Sequence, residues 1–118
     1  MLTHRLDAET GIIEIEIDGP TDSESYRALI RELDAQIAAR GRIKVLEIIR
    51  DMGWVSPAVW WEDMGWSFRH LKDISRAAVV TDKSWIGPIV KMMSGVMTAE
   101  VRVFGLADLD KAREWLAS

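Results

Sequence analysis

The chain has 118 residues, 48% hydrophobic and 29% charged, the balance of a globular domain with a sizeable core and not of a disordered tail. A net charge of -4 and a pI near 5.1 work against broad contact with nucleic acid phosphates. The absence of cysteine excludes disulfides, thiolate metal sites, iron–sulfur clusters and a cysteine nucleophile.

Ile13, Ile15 and Ile17 alternate with Glu14, Glu16 and Asp18, the pattern of a strand with one wet face. Glu9-Thr10-Gly11 before it has turn chemistry, which makes Leu2 to Ala8 an antiparallel partner strand. Thr21 and Glu24 stand as a capping box ahead of Tyr26, Leu29, Ile30, Leu33 and Ile37, which share one helical face, and Gly41 ends that helix. Val45 to Ile49, largely β-branched and flanked by helical patterns, reads as a buried parallel strand. Ser56 and Pro57 have N-cap and first-turn chemistry and predict a second helix from about Pro57 to His70. Ala77 to Val80 is the next strand. Asp82 or Ser84 then caps a third helix running to roughly Ser94. Val101 to Phe104 is the last strand, before a short helix with Leu109, Ala112 and Leu116 inward. The expected fold is a single α/β domain over residues 1–118: one layer of mixed, mostly parallel five-stranded sheet with four helices.

Most of the six tryptophans and six methionines crowd into the second and third helical patterns. On the second helix Trp60, Trp61, Met64, Phe68 and Leu71 suffice to pack it on a sheet, which leaves Val59 and Trp66 on the far side. On the third, the apolar residues from Trp85 to Met97 span about 160°, beyond the usual stripe of ~100°. Lys91 is its only charge. This surplus fits an apolar ligand, a membrane surface or a seam between copies of the chain. Methionine adapts to varied apolar shapes, and tryptophan suits a groove rim or the headgroup layer of a membrane.

Three stretches carry a family resemblance: GIIEIEIDGPTDSESY (Gly11 to Tyr26), RHLKDISRAAVVTDKSW (Arg69 to Trp85) and EVRVFGLADLDKAREWL (Glu100 to Leu116). In these the chain resembles the SpoIIAA-like family, related in fold to STAS domains and more loosely to Sec14-type lipid-binding domains. The resemblance implies a mixed sheet with helices packed over it, and an association with membranes or nonpolar ligands between the two central helices. It also implies a second role, as a phosphorylation-switched regulator, in which Ser56 occupies the place of the phosphorylated serine. The Asp-Ser-Ser-Gly type of loop is replaced here by Asp51-Met52-Gly53-Trp54-Val55-Ser56-Pro57, and capping alone accounts for a Ser-Pro at a helix start.

Enzyme signatures are missing: there is no GxSxG elbow, GxGxxG turn, P-loop or HExxH. Asp63 and His70 lie two helical turns apart, but two ligands do not make a metal site. Glu62 and Asp63 point about 100° apart, which suits solvation better than shared acid–base work. No cofactor or metal is implied. The expectation is a non-enzymatic binding domain that holds an apolar or lipid-like molecule between its second and third helices. Trp54, Trp61, Met64, Trp85, Ile89, Met92 and Met93 supply contact surface, and Arg69 or Lys91 a polar anchor. The alternative is an interaction module that binds a copy of itself or a regulatory protein. Arg50, Arg69, Lys72, Lys83 and Lys91 would receive an anionic headgroup if they converge in space. Met1 to Asp7 lacks a signal-peptide pattern and no apolar run reaches the ~18 residues of a membrane helix, so the expected location is the cytoplasm, with peripheral contact at the inner membrane face.

Overall fold

The computed structural model describes residues 1–51, 71–84, 86–88, 91 and 100–118. The alternating isoleucines form β2 (Ile13–Asp18), and the chain before them forms the antiparallel strand β1 (Leu2–Leu6), with Leu2 opposite Ile17 and Leu6 opposite Ile13. Asp7 makes the reversal: its Oδ1 accepts the backbone N–H groups of Glu9 and Thr10 at 3.0 and 3.4 Å. Gly11 completes it at φ 75°, a left-handed conformation that costs glycine little.

Helix α1 (Ser23–Arg40) buries Tyr26, Leu29 and Leu33, with Ile30 and Ile37 half-buried beside them, the stripe expected from their spacing. Its N-cap is Asp22 and not Thr21: the Asp22 Oδ1 accepts the Ser25 N–H at 2.6 Å. That hydrogen bond holds the Asp22 carboxyl below its ordinary value of 3.8. A carboxylate whose pKa falls on folding stabilises the fold fully above its unfolded value, and the contribution is lost as the pH falls through the folded one. Asp22→Ala is therefore expected to lower the midpoint of thermal unfolding at neutral pH. The gap from the parent should close as the pH drops below the ordinary aspartate range, as melting curves across pH would show.

Gly41, at φ 83°, stops the helix and donates its N–H to the Ile37 carbonyl at 2.7 Å. Strands β3 (Ile43–Asp51), β4 (Ile74–Thr81) and β5 (Glu100–Phe104) follow, each parallel to its predecessor, and the order across the sheet is β1-β2-β3-β4-β5. The mixed, mostly parallel five-stranded sheet is thus as expected. Each new strand is added on the same side of the last, so right-handed crossovers deposit connecting helices on one face. Both described connecting helices lie there: α1, and α2, helical at residues 86–88 and 91.

The helix count is corrected. Among the described residues there are three helices and not four, the last being α3 (Leu109–Ala117). The helix expected from Pro57 to His70 falls outside the described residues. It rested on the Ser56-Pro57 start and on apolar periodicity, which say where a helix would begin and which face it would bury.

The two faces of the sheet have separate cores. One holds Ile13, Ile15, Ile43 and Val45 beneath α1, continuing through Ile49 and Val79 to Ile86 of α2. The other holds Leu46, Ile48, Ala78 and Val80 beneath Ala112 and Leu116 of α3. Helix α3 follows the last strand and is not a crossover, so the handedness rule leaves it free to cover the second face. Charge ties it down. Arg113 pairs with Glu14 at 2.8 Å, Arg5 meets the same carboxylate from β1, and the Lys44 ammonium donates to the Leu116 carbonyl at 2.6 Å. Arg76 donates to the Trp115 carbonyl at 2.9 Å, so two cations meet the carbonyl-rich end of the helix.

Candidate functional site

Of the residues expected to form a site, Trp54, Ser56, Trp61, Met64, Arg69, Trp85, Ile89, Met92 and Met93 lie outside the described residues, as do Asp63, Trp66 and His70. Lys91 is described; it is helical and exposed. Ile49, Val79 and Ile86 are each buried to 6% exposure or less and pack together, with Ile17 and Val101 half-buried against them. The start of α2 therefore stands on an apolar floor made by the carboxyl halves of β2, β3 and β4 together with Val101 near the start of β5.

At the same carboxyl edge, polar groups close the turns. Thr81 is buried, and its Oγ1 accepts the Lys83 N–H at 3.1 Å. Asp82 Oδ1 accepts the Leu106 N–H at 3.0 Å, which fastens the end of β4 to the turn after β5. Asp82 thus serves that turn, whereas the sequence suggested a cap for the third helix. Among the described residues no group of three or more histidine, aspartate or glutamate side chains is arranged to hold a metal ion. His4, the other histidine of the sequence, is exposed on β1 opposite Ile15.

One residue of this floor went unnoticed in the sequence. Glu47 sits on β3 directly between Ile15 of β2 and Val79 of β4, half-buried, with Val45 and Ile49 two residues away on the same face. The signal was present. A charge inside the run Val45-Leu46-Glu47-Ile48-Ile49, in a strand read as buried on both sides, breaks the pattern that makes such a strand.

Of the described members of the basic set, Arg50 is ion-paired and Lys72 stands at the opposite end of β4 from Lys83. Arg50 lies on the α3 face of β3, paired with Glu16, and that carboxylate raises the Arg50 pKa above its ordinary value. Lys72 and Lys83 bracket the eight residues of β4, so roughly 25 Å of strand separates them. A single headgroup cannot bridge that span.

Five strands in sequential order with helices on both faces define a small α/β domain. The SpoIIAA-like family model matches residues 12–117, and the chain belongs to that family. The structure is similar to that of an uncharacterized DUF3478-family protein with a SpoIIAA-like fold from Shewanella loihica PV-4. The TM-score is 0.72 at 17% sequence identity, over 98% of this chain and 92% of that one. No curated protein matches the chain. SpoIIAA-like domains of the STAS type are regulatory and non-catalytic, and it is this membership that classes the chain as a non-enzyme. No helix among the described residues is long and apolar enough to cross a membrane.

Proposed function

We propose that the chain is a protein-interaction module of the STAS type, whose work is to bind a regulatory protein or a second copy of itself. The observation that carries this reading is the SpoIIAA-like match over residues 12–117, since STAS-type domains act by protein contact. The sheet adds support. Its order advances in one direction from β1 to β5, so the described strands have no reversal of order at which α/β sheets open a ligand crevice. Ser56 is the candidate switch, where a phosphate would change the charge of the contact surface.

A second reading is kept because one observation favours it. Ile86 is only 5% exposed on the floor of Ile49 and Val79, so the described start of α2 rests on an apolar base; in this reading Trp54, Trp61, Met64, Trp85, Ile89, Met92 and Met93 would supply the contact surface for a lipid-like molecule. Arg69 or the exposed Lys91 would anchor its polar end, and peripheral membrane contact would deliver it. The location proposed under either reading is the cytoplasm.

Mass spectrometry of gently purified protein, native and then denatured, separates the two. A dimer or a stoichiometric protein complex without small-molecule adduct is expected. Monomeric protein carrying extra mass that leaves on denaturation would replace the interaction reading with the ligand reading.

A further inference from the structure

Among the described residues, strand β5 is an edge of the sheet, and it is open. No other described strand pairs its outer side, and Glu100, Arg102 and Val103 are exposed, Val103 to 42%. An edge strand offers unpaired backbone N–H and C=O groups to any extended segment that can align with them. What that segment should contain follows from the side chains on the two faces of β5.

On the α3 face, the Arg102 guanidinium lies 5.2 Å from the centre of the Trp115 ring. Arg76 lies at the same distance from that ring, but Arg76 is already engaged: its guanidinium meets Glu100 at 3.4 Å and donates to the Trp115 carbonyl and to Ser118. Arg102 has no carboxylate partner among the described residues. Stacking on an indole orients a guanidinium and removes water from one side of it, which leaves its N–H fork ready for a carboxylate. On the opposite face, Val103 presents uncovered apolar surface beside half-buried Val101. Residues opposite 102 and 103 in an added strand are consecutive, so their side chains point to opposite faces.

We infer that β5 receives an extended acidic segment of a partner protein as a sixth strand, with a carboxylate against Arg102 and an apolar side chain against Val103. This rests on the interaction-module reading and assigns it a surface and a partner chemistry. A second copy of β5 fits less well. The antiparallel register that sets Val103 opposite Val101 also sets Arg102 opposite Arg102, a like-charge pair. The register that sets Arg102 opposite Glu100 competes with Arg76 for one carboxylate.

The test uses the full chain labelled with nitrogen-15. It is titrated with an acetylated and amidated heptapeptide in which valines alternate with threonines around one central glutamate, and separately with the counterpart that carries lysine in the place of that glutamate. The acidic peptide should shift the amides of Glu100 to Phe104 and the Trp115 indole N–H, and the basic peptide should not. Arg102→Glu should weaken the acidic peptide about fivefold and make the basic peptide bind. Arg102→Gln, which introduces no repulsion, should lose the acidic preference without gaining the basic one, and serves if the charge reversal does not fold. Equal response to both peptides, no response in β5, or binding unaffected by both variants would overturn the proposal and leave Arg102 as a charge that guards the edge. Shifts in β5 that grow with protein concentration and without peptide would also overturn it, in favour of self-pairing. A stable protein complex by mass spectrometry together with a silent β5 would keep the interaction module and remove this surface from it.

Discussion

Leu46→Ala is expected to cost about 3 kcal/mol of unfolding free energy, read from urea denaturation with an unchanged slope, and to lower the thermal midpoint by about 10 °C. Leu46 is 0% exposed in the central strand, flanked by Glu14 on β2 and Ala78 on β4, and it belongs to the cluster that Ala112 and Leu116 close from above. Removing its side chain leaves a cavity that β2, β4 or α3 would have to fill. The two strands are pinned by their ladders. Helix α3 is pinned by the Arg113–Glu14 pair and the Lys44 hydrogen bond, so little collapse is available. A loss below about 1.5 kcal/mol would mean that this face repacks freely and that α3 is not held as described.

Leu116→Ala should cost a similar amount, about 3 kcal/mol, but distribute it differently. Leu116 is also 0% exposed, yet it sits one residue from the end of a nine-residue helix. Such a helix gains most of its stability from its buried face, since nine residues are too few to be helical alone in water. Without Leu116, the apolar hold of α3 rests on Ala112 and the half-buried Leu109 and Trp115. Hydrogen exchange should then show the amides of α3 losing protection while Tyr26 to Ile37 of α1 keep theirs, because α1 packs on the other face. Equal loss in both helices would show that the two faces unfold as one unit.

Placing Arg102 over Trp115 gives these packing arguments a functional side. The same helix that seals the second face carries the indole on which Arg102 rests, so α3 supports both the core and the proposed edge contact. In Leu116→Ala, loosening of α3 should therefore weaken the acidic heptapeptide as well. The SpoIIAA-like scaffold would in this way couple the folding of its last helix to partner binding at its last strand.

Local elements were legible in the residues because they depend on side chains a few positions apart. The three isoleucines of β2, the Tyr26 to Ile37 stripe of α1, the Gly41 stop and the inward Ala112 and Leu116 all declare themselves within one or two turns of chain. Of the candidate site, Lys91 is the expected residue that the described structure reaches, and Glu47 was overlooked because hydrophobic runs were read as wholes. The capping box failed for a related reason: Thr21 and Asp22 both have capping chemistry, and which one caps depends on where the chain from β2 arrives.

The sequence by itself determined the five strands, the first and last helices, the mostly parallel sheet, the family and the acidic, cysteine-free character of the chain. Tertiary structure alone decided that the strands run in sequential order, that α3 takes the face opposite α1, and that Glu16 claims Arg50 from 34 residues away. It also decided that Arg76 and Arg102 share one indole while only Arg76 is ion-paired. The reason is physical. Periodicity records which side of an element is apolar, whereas the neighbours that meet that side are chosen by register and by the hand of the crossovers, which act between segments far apart in the chain.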